Sequence, residues 1–420
     1  MLPKMIRIRR HYEAPIIENI EAAIEMELEK DHIQTRIKPG MRIAITAGSR
    51  GIANIARIIT AVVAELKRYG AVPFIVPAMG SHGGATAEGQ VEVLESLGIT
   101  EANCGAPIRS SMDTVEIGAT PDGVPVYMDR YAYEADGVVL VARIKLHTDF
   151  KSPVGIESGI VKMAAIGLGK HVQALLLHSY GVHGIRDIMP EVGKVVLKSG
   201  HIVFGLGIVE NASEETAVLE AIEPSRIYER EQELLKQSAE LFPWLPIDKL
   251  DILFVDWIGK NFSGTGMDTN IIGRMRIQGT PEPEFPNIKY VIAGDLSEES
   301  HGNALGIGLA DLTTSRLVNK IDRRVMNENV ITSTFLHRAA IPIVLDNDRA
   351  AIEAALRANW NVPQDQVRIA RIYSTLHLEH LYVSEAVYES VRSLSGVTAE
   401  GTFEPLAFDE AGNLLPFQIE

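Results

Sequence analysis

Short apolar runs and amphipathic segments alternate along the first part of the chain. Arg42–Thr46 has the pattern of a short buried strand, and in the segment 52–67 the apolar residues recur every three or four positions. That spacing indicates a helix, and Gly70 is expected to end it. Ala71–Pro77 predicts a second strand, and Thr86 is the expected N-cap of the next helix. A β-α-β-α series of this kind is typical of a parallel sheet.

The rest of the chain continues the alternation. Another buried strand is predicted at Gly137–Ala142, a largely helical region at about 157–180, and a charged helix at 223–242 that could connect two domains. Three further apolar runs predict strands in the second half: Asp251–Asp256, Tyr290–Gly294 and Ile341–Leu345. We therefore predict an α/β protein of two α/β domains with mainly parallel sheets. They would span residues 1–245 and 246–420, with an active-site cleft between them.

Composition and charge narrow the class of protein. The 420 residues carry a formal net charge of −15, which disfavours binding to nucleic acid and to anionic membrane surfaces. Cys104 is the sole cysteine, so neither an intrachain disulfide nor a Cys-rich zinc site can form. No apolar run approaches the roughly 18 residues of a membrane span, and Met1–Arg10 lacks the apolar stretch of a secretory signal. These observations predict a cytoplasmic enzyme acting on a small molecule and leave its oligomeric state open.

Candidate chemistry collects at the predicted strand ends. Arg50 follows the first predicted strand and His82 the second, while Lys145 and His147 follow a third. Ligands of open α/β sheets bind at the carboxyl ends of the strands. Histidine suits proton transfer near neutral pH, and arginine suits a carboxylate or a phosphate. Each residue alone is better explained as a polar loop residue, but their recurrence on three strand ends favours an active site.

Two glycine-rich loops precede predicted helices. They are Gly48–Gly51 and Gly80–Gly84, and backbone N–H groups at such helix starts can hold a phosphate. Neither loop matches a standard nucleotide-binding signature. Ordinary turn chemistry explains these glycines nearly as well.

Lys162 and His178 stand in apolar surroundings. Lys162 would either extend its charged end from a buried helix or act as a desolvated nucleophile. His178 would be either a hydrogen-bonded core residue or a metal ligand. His171 lies seven residues before His178 and would share a helix face with it. Taken alone, the structural interpretation of each residue is the stronger one.

Polar residues of the second half could form the far wall of a cleft. Asp268 and Asn270 follow a glycine-rich loop, and Arg274 and Arg276 come soon after. A solvated loop explains these four residues equally well. Three further histidines are ambiguous in the same way, and we assign no role to them: His301, His377 and His380.

Taken together, these segments resemble the lactate racemase family of nickel-pincer enzymes. The family has an arginine at a strand end, here Arg50, and then a Gly-x-His loop, here Gly80–His82. It next has a strand-end histidine, here His147, and a Ser-Gly-x-x-Lys element, here 158–162. A metal-binding histidine follows that lysine by sixteen residues, here His178.

The resemblance implies a racemase or epimerase that inverts C2 of a 2-hydroxy acid. Lys162 would carry pyridinium-3-thioamide-5-thiocarboxylic acid mononucleotide covalently, and His178 would be a ligand of its nickel ion. His82 and His147 would be acid–base partners on opposite faces of the substrate. Two histidines suit this role because reversible inversion needs a base for each enantiomer.

The same resemblance implies what surrounds the reacting groups. Arg50 would hold the substrate carboxylate or its neighbourhood. The loop residues near the cofactor phosphate would be Ser49, Gly80 and Ser81. The substrate-binding residues of the second half would be Asp268, Asn270 and Arg276. The enzymes that make the cofactor would be partners of this protein.

Departures from the family pattern bear on the substrate. Over the matching segment, from about residue 40 to 310, Ala47 stands where the family has an acidic residue three positions before its arginine. Ile272 and Gly273 stand where it has Tyr and Gln, and Arg276 where it has a lysine. Losing hydrogen-bonding side chains opens space, while Arg276 keeps the positive charge. The expected substrate is therefore a 2-hydroxy acid longer or more acidic than lactate, or a sugar acid.

Two other functions stay open at this point. His82, His147 and His178 could hold a conventional divalent metal in a hydrolase or a lyase. The same cleft could also belong to a ligand-binding protein without turnover.

Overall fold

The computed structural model describes residues 2–12, 14–49 and 51–418, which form two compact units. The N-terminal unit is Ala14–Phe242, and the C-terminal unit joins the start of the chain to Pro243–Glu420. The boundary lies close to the predicted one at 245/246. The start of the chain differs from the prediction, because the strand Lys4–Arg10 pairs with two strands of the C-terminal sheet.

The strands of the described residues are numbered in chain order. They are β1 (Lys4–Arg10), β2 (Arg42–Ala47), β3 (Val72–Pro77), β4 (Thr114–Ala119), β5 (Pro125–Asp129), β6 (Gly137–Arg143), β7 (Ile202–Glu210), β8 (Thr216–Ile222), β9 (Lys249–Ile258), β10 (Asn287–Leu296), β11 (Leu312–Thr314), β12 (Ile343–Leu345), β13 (Ile369–Ile372), β14 (His380–Ser384) and β15 (Val397–Pro405).

The helices are numbered in the same way. They are α1 (Ile20–Leu28), α2 (Asp31–Gln34), α3 (Ile55–Arg68), α4 (Ala87–Ser96), α5 (Glu101–Cys104), α6 (Arg130–Tyr133), α7 (Ile160–Lys162), α8 (Lys170–Ser179), α9 (Gly181–His183), α10 (Met189–Lys198), α11 (Ile227–Glu240), α12 (Thr269–Ile272), α13 (Ser315–Asn319), α14 (Arg323–Ser333), α15 (Asp348–Ala358) and α16 (Glu385–Val391). Two π-helical turns, Met163–Gly167 and Gly184–Ile188, follow α7 and α9.

Within the described residues, no single helix is long and apolar enough to cross a membrane. The segments Ile160–Gly167 and Lys170–Ser179 meet that test only when they are taken together, and they are bent by 102° at the break between them.

The N-terminal unit is built on a five-stranded sheet in the order β3-β2-β6-β7-β8. The first four of these strands are parallel to their neighbours, and β8 is antiparallel to β7. The helix predicted at 52–67 is α3, and its apolar stripe is buried in one core with Ile43 and Ile45 of β2. Thr86 caps α4 as predicted, because its hydroxyl accepts a hydrogen bond from the backbone N–H of Gly89.

The C-terminal unit is built on an eight-stranded sheet in the order β12-β11-β10-β9-β13-β14-β1-β15. The strands from β12 to β13 are parallel, whereas β14, β1 and β15 pair antiparallel. The predicted α/β class with mainly parallel sheets is therefore confirmed. The charged helix predicted at 223–242 is α11, which belongs to the N-terminal unit.

Candidate active site

The carboxyl ends of β2, β3 and β6 carry many of the predicted site residues. The chain passes from β2 to β3 on one side and returns to β6 on the other side of β2. A change of direction of this kind opens a crevice at the carboxyl ends of the strands. Ser49 follows β2, His82 follows β3, and His147 follows β6. Arg50, predicted to hold the substrate, lies outside the described residues.

His147 and Lys162 are in direct contact. Lys162 Nζ lies 2.8 Å from His147 Nε2, and His147 Nδ1 accepts a 3.0 Å hydrogen bond from the backbone N–H of Asp149. The Nε2 atom of an imidazole can take up or give a proton near neutral pH. Lys162 is thus placed beside a group that can exchange protons with its amine, as activation of a lysine nucleophile requires.

A buried carboxylate holds the loop that carries His147. Glu157 is 4% exposed, and its two oxygens accept hydrogen bonds from the backbone N–H groups of His147 (2.6 Å) and Ser152 (3.1 Å). The imidazole stacks on Phe150, with ring centroids 4.4 Å apart. Backbone and ring are both constrained, which is what a group that transfers protons at a defined position requires.

His178 lies near the same pair of residues. Its ring is exposed, although the protein atoms around it lower its pKa by desolvation. A charge on Lys162 also lowers the pKa of His178, and Asp149 raises it. The net lowering favours the neutral imidazole, which is the form that binds a metal ion. His178 is nonetheless exposed to solvent, so it is accessible to a ligand.

Ser49 holds His82 at the end of β3. The Ser49 hydroxyl is hydrogen-bonded to Nδ1 of His82, and the His82 ring is exposed. Gly80 adopts a φ of 62°, a backbone conformation that glycine reaches without strain. Ser81 is half-buried between them. The predicted Gly-x-His loop therefore turns the chain sharply and presents an accessible imidazole.

The loops after β2 and β3 pack on the turn that follows Lys162. A Cβ atom at Gly48 would lie 3.3 Å from Met163 Cε, and one at Gly80 would lie 3.0 Å from Ile166 Cγ2. Both contacted residues belong to the π-helical turn that begins directly after Lys162. Such turns are rare and occur frequently at functional sites. The structure therefore brings the two glycine-rich loops beside the lysine segment.

Glu231 lies against the lysine segment from the other side. It is 1% exposed, and its Oε2 accepts a 2.8 Å hydrogen bond from the backbone N–H of Val161. Burial raises the pKa of Glu231 to about 7, although hydrogen bonds from Val161 and Ile160 act in the opposite direction. A Cβ atom at Gly159 would lie 2.4 Å from Glu231 Oε1, so the site requires glycine there. Glu231 thus supports the backbone from which Lys162 projects.

The sequence analysis missed Glu231. The available signal was its place on α11, since Ile227 and Leu234, four residues before it and three after it, are both buried. A glutamate on the apolar face of an amphipathic helix needs a hydrogen-bonding partner inside the protein. The sequence alone does not reveal that the partner is the segment carrying Lys162.

The candidate residues of the C-terminal unit contact other residues of the same unit. Asp268 caps α12, with its Oδ1 accepting hydrogen bonds of 2.9 Å from both the backbone and the side chain of Asn270. Arg276 was predicted to bind the substrate, but its guanidinium forms a 2.7 Å ion pair with Asp311. Arg274 pairs with the same carboxylate at 2.6 Å. Asp311 precedes β11, so this ion pair lies at the amino end of that strand.

The histidines to which no role was assigned have varied surroundings. His377 Nδ1 is 2.9 Å from Ser374 Oγ, and His380 Nδ1 is 3.1 Å from a carboxylate oxygen of Glu400. His301 adopts a φ of 47° and His171 is half-buried. In the described part of the chain, no group of three or more His, Cys, Asp or Glu residues could hold a metal ion.

Comparison with known families finds a match to part of the chain. A family model described as the lactate racemase N-terminal domain matches residues 5–179, so the chain is similar to that domain over those residues.

Comparison of whole structures and of curated sequences adds two findings. Among solved structures, the chain is similar to the lactate racemase apoprotein from Thermoanaerobacterium thermosaccharolyticum, with 14% identity and a TM-score of 0.49. The similarity covers 82% of this chain and 87% of that chain. A search of curated proteins finds no match.

Proposed function

We propose that this protein inverts C2 of a 2-hydroxy acid with the help of a nickel-pincer nucleotide attached to Lys162. The observation that carries the proposal is the 2.8 Å contact between Lys162 Nζ and His147 Nε2. His178 is near enough for a charge on Lys162 to lower its pKa, and it would be the protein's ligand to the metal. Similarity of residues 5–179 to the lactate racemase N-terminal domain supports this interpretation of the three residues.

The residues present fit such a cofactor. Covalent attachment needs a neutral amine, and His147 Nε2 lies 2.8 Å from Lys162 Nζ, where it would take up the proton of the lysine. Nickel held mainly by sulfur and carbon donors needs few protein ligands, and His178 offers one accessible imidazole. The candidate residues for holding the phosphate are Ser49, Gly80 and Ser81.

The proposed proton chemistry belongs to His82 and His147. When bound, the cofactor supplies an acceptor that takes the C2 hydrogen as hydride and returns it. His82 or His147 takes the hydroxyl proton, because positive charge would otherwise build up at C2 as hydride leaves. Ser49 engages Nδ1 of His82, so proton exchange with the substrate would use Nε2. For the opposite enantiomer the other histidine would give a proton to the substrate oxygen, so each histidine would serve one enantiomer.

We further propose that the preferred substrate is larger or more acidic than lactate, or is a sugar acid. Ile272 and Gly273 replace two hydrogen-bonding side chains of the family pattern, and both substitutions leave more space. Arg276 keeps the positive charge of the lysine in the family pattern, and in this structure it forms an ion pair with Asp311. Faster racemisation of lactate than of any larger 2-hydroxy acid would contradict this proposal.

Co-production with the cofactor-making enzymes tests the attachment. We expect an added mass on the intact protein, mapped to Lys162 by peptide mass spectrometry, together with about one nickel ion per chain. Lys162→Ala should lose the added mass, the nickel and the activity. Lys198→Ala, which changes an exposed lysine at the end of α10, is the matched control and should keep all three. Full activity of Lys162→Ala would disprove the proposal.

The fate of the C2 hydrogen separates this mechanism from the alternatives. Hydride return keeps the substrate's own hydrogen at C2 in heavy water, whereas a hydrolase, a lyase or a racemase that removes a proton would not behave in this way. Deuterium at C2 of the product would therefore exclude the proposed route. A ligand-binding protein would show neither inversion nor any dependence of ligand binding on Lys162.

A further inference from the structure

A buried lysine connects the helix that carries His178 to the loop that carries His82. Lys170 is the first residue of α8, and its side chain is fully buried. Its ammonium donates hydrogen bonds to the carbonyl oxygen of Pro77 and, at 3.0 Å, to Oε1 of Gln90. It also lies 3.2 Å from Oδ2 of Asp129. Two hydrogen bonds and one ion pair thus hold the ammonium group inside the protein.

Gln90 extends this connection to the His82 loop itself. It is fully buried on α4, and its Nε2 donates hydrogen bonds to the carbonyl oxygens of Gly80 (3.0 Å) and His82 (3.2 Å). One amide group therefore contacts both Lys170 and the backbone on either side of Ser81. A buried side chain therefore holds the backbone of the loop, while His82 itself is exposed.

This arrangement is costly for stability. Burial raises the pKa of Asp129 and lowers that of Lys170, although each group has the other's opposite charge beside it. Lys170 also adopts a φ of 54°, a strained conformation for a residue with a side chain. Apolar residues of similar volume commonly stabilise a fold as well as a buried ion pair does. A geometric function would explain why charged residues occupy these positions.

We propose that Lys170 and Gln90 are positioning residues, which set the place of the His82 imidazole relative to α8. The proposal rests on the proposed function in that it takes His82 and His178 as members of one active site. Neither Lys170 nor Gln90 is proposed to contact the substrate. Their effect would pass through the carbonyl groups of Pro77, Gly80 and His82, which fix the path of the chain at the end of β3.

The test compares two buried glutamines. Gln90→Met keeps the volume of the side chain but removes the hydrogen bonds to Gly80 and His82. Gln173→Met is the matched control, because Gln173 is also fully buried and bonds to backbone groups, at Tyr127 and Pro125, away from the His82 loop. Both variants should lose similar stability in thermal unfolding. Any difference in the state of the His82 imidazole between the two variants then reports on its positioning rather than on loss of folding.

Nitrogen NMR of the metal-free protein gives a measurement independent of activity. With ring-nitrogen labelling, the His82 imidazole should show one tautomer in the parent protein and in Gln173→Met, because Ser49 engages its Nδ1. In Gln90→Met the ring should show averaging between tautomers. In the cofactor-loaded enzyme, Gln90→Met should lower kcat about 10- to 100-fold with little change in KM, as expected for a displaced catalytic group.

The outcomes separate this inference from the proposed function. A single tautomer of His82 in Gln90→Met, with kcat equal to that of Gln173→Met, would overturn the positioning inference. Tautomer averaging in a protein whose parent form racemises no 2-hydroxy acid would support positioning and refute the proposed function. If Gln90→Met does not fold, Gln90→Glu provides the same test, because it keeps the contact with Lys170 and loses both donors to the loop.

Discussion

The strand ends of the two units use ionisable side chains in opposite ways. In the C-terminal unit, Asp256 on β9 and Arg371 on β13 form a buried pair with two hydrogen bonds, of 2.8 and 2.6 Å. In the N-terminal unit, Lys162 contacts an imidazole instead of a carboxylate, and His82 and His178 are exposed. Ion pairing holds charges in a fixed state, whereas a base beside an amine leaves both groups able to exchange protons and form bonds. The reactive region is therefore distinguished by the partners and the solvent exposure of its ionisable side chains rather than by their residue types.

The largest effect is expected at His147. His147→Phe keeps a ring to stack on Phe150 and removes both nitrogens, so the activity of the loaded enzyme should fall by roughly 100-fold or more. Labelling of Lys162 by an acylating reagent, followed by peptide mass spectrometry, should also slow, because the amine loses the neighbouring base that would take up its proton. His183→Phe, at an exposed histidine of α9, is the control for both measurements. Unchanged activity would remove His147 from the site.

The largest loss of stability, as distinct from activity, is expected in the C-terminal unit. Arg371→Met leaves Asp256 buried without its guanidinium partner, and should lower the free energy of unfolding by about 3–5 kcal/mol. Denaturant titration measures this change. Arg68→Met breaks exposed ion pairs, which solvent screens, and should cost much less stability than Arg371→Met. Equal losses of stability in the two variants would show that the Asp256–Arg371 pair contributes no more than an exposed ion pair does.

A pH dependence is expected from the buried carboxylate of the N-terminal unit. The pKa of Glu231 is about 7 in the folded chain against 4.5 ordinarily, so between these values the folded chain holds a proton that the unfolded chain releases. The free energy of unfolding should therefore fall as pH rises through this window, by about 3 kcal/mol from this group. Glu231→Gln should remove that part of the fall, as measured by denaturation at pH 5 and pH 8. Glu233→Gln, at an exposed position on the same helix, should follow the parent protein, and an identical pH profile for both variants would contradict the assignment.

The smallest effect is expected at Ser49. Ser49→Ala removes the hydrogen bond to Nδ1 of His82 and should lower kcat/KM by a few-fold, the equivalent of about 1 kcal/mol. Steady-state kinetics across pH would also show a shifted profile, since the imidazole loses a partner. Ser96→Ala, at the end of α4, is the control. A loss as large as that of His147→Phe would mean that Ser49 contacts the substrate or cofactor directly.

The spacing of apolar residues along the chain predicted much of the fold. The strands β2, β3, β6, β9 and β10 and the helix α3 arise from short apolar runs and helical spacing, which are properties of neighbouring residues. The spacing between Lys162 and His178 is likewise local, because one turn and one helix separate them. Such features can be predicted from sequence since they depend on a few adjacent side chains and on backbone preferences.

The remaining features depend on contacts between residues that are far apart in the sequence. Nothing in the sequence of β1 indicates that it inserts between β14 and β15, some 370 residues away. The same holds for Arg276, because the residues adjacent to it and to Asp311 in the sequence do not indicate that these two side chains form an ion pair.

The amino-acid sequence alone was enough to predict the α/β class, the main strands and the spacing of Lys162 and His178. The tertiary structure was needed to show which charged side chains form ion pairs and that Glu231 supports the segment carrying Lys162. The physical reason is that hydrophobic periodicity acts within a helix or a strand. Hydrogen bonds and ion pairs between buried groups form only after distant segments have packed together.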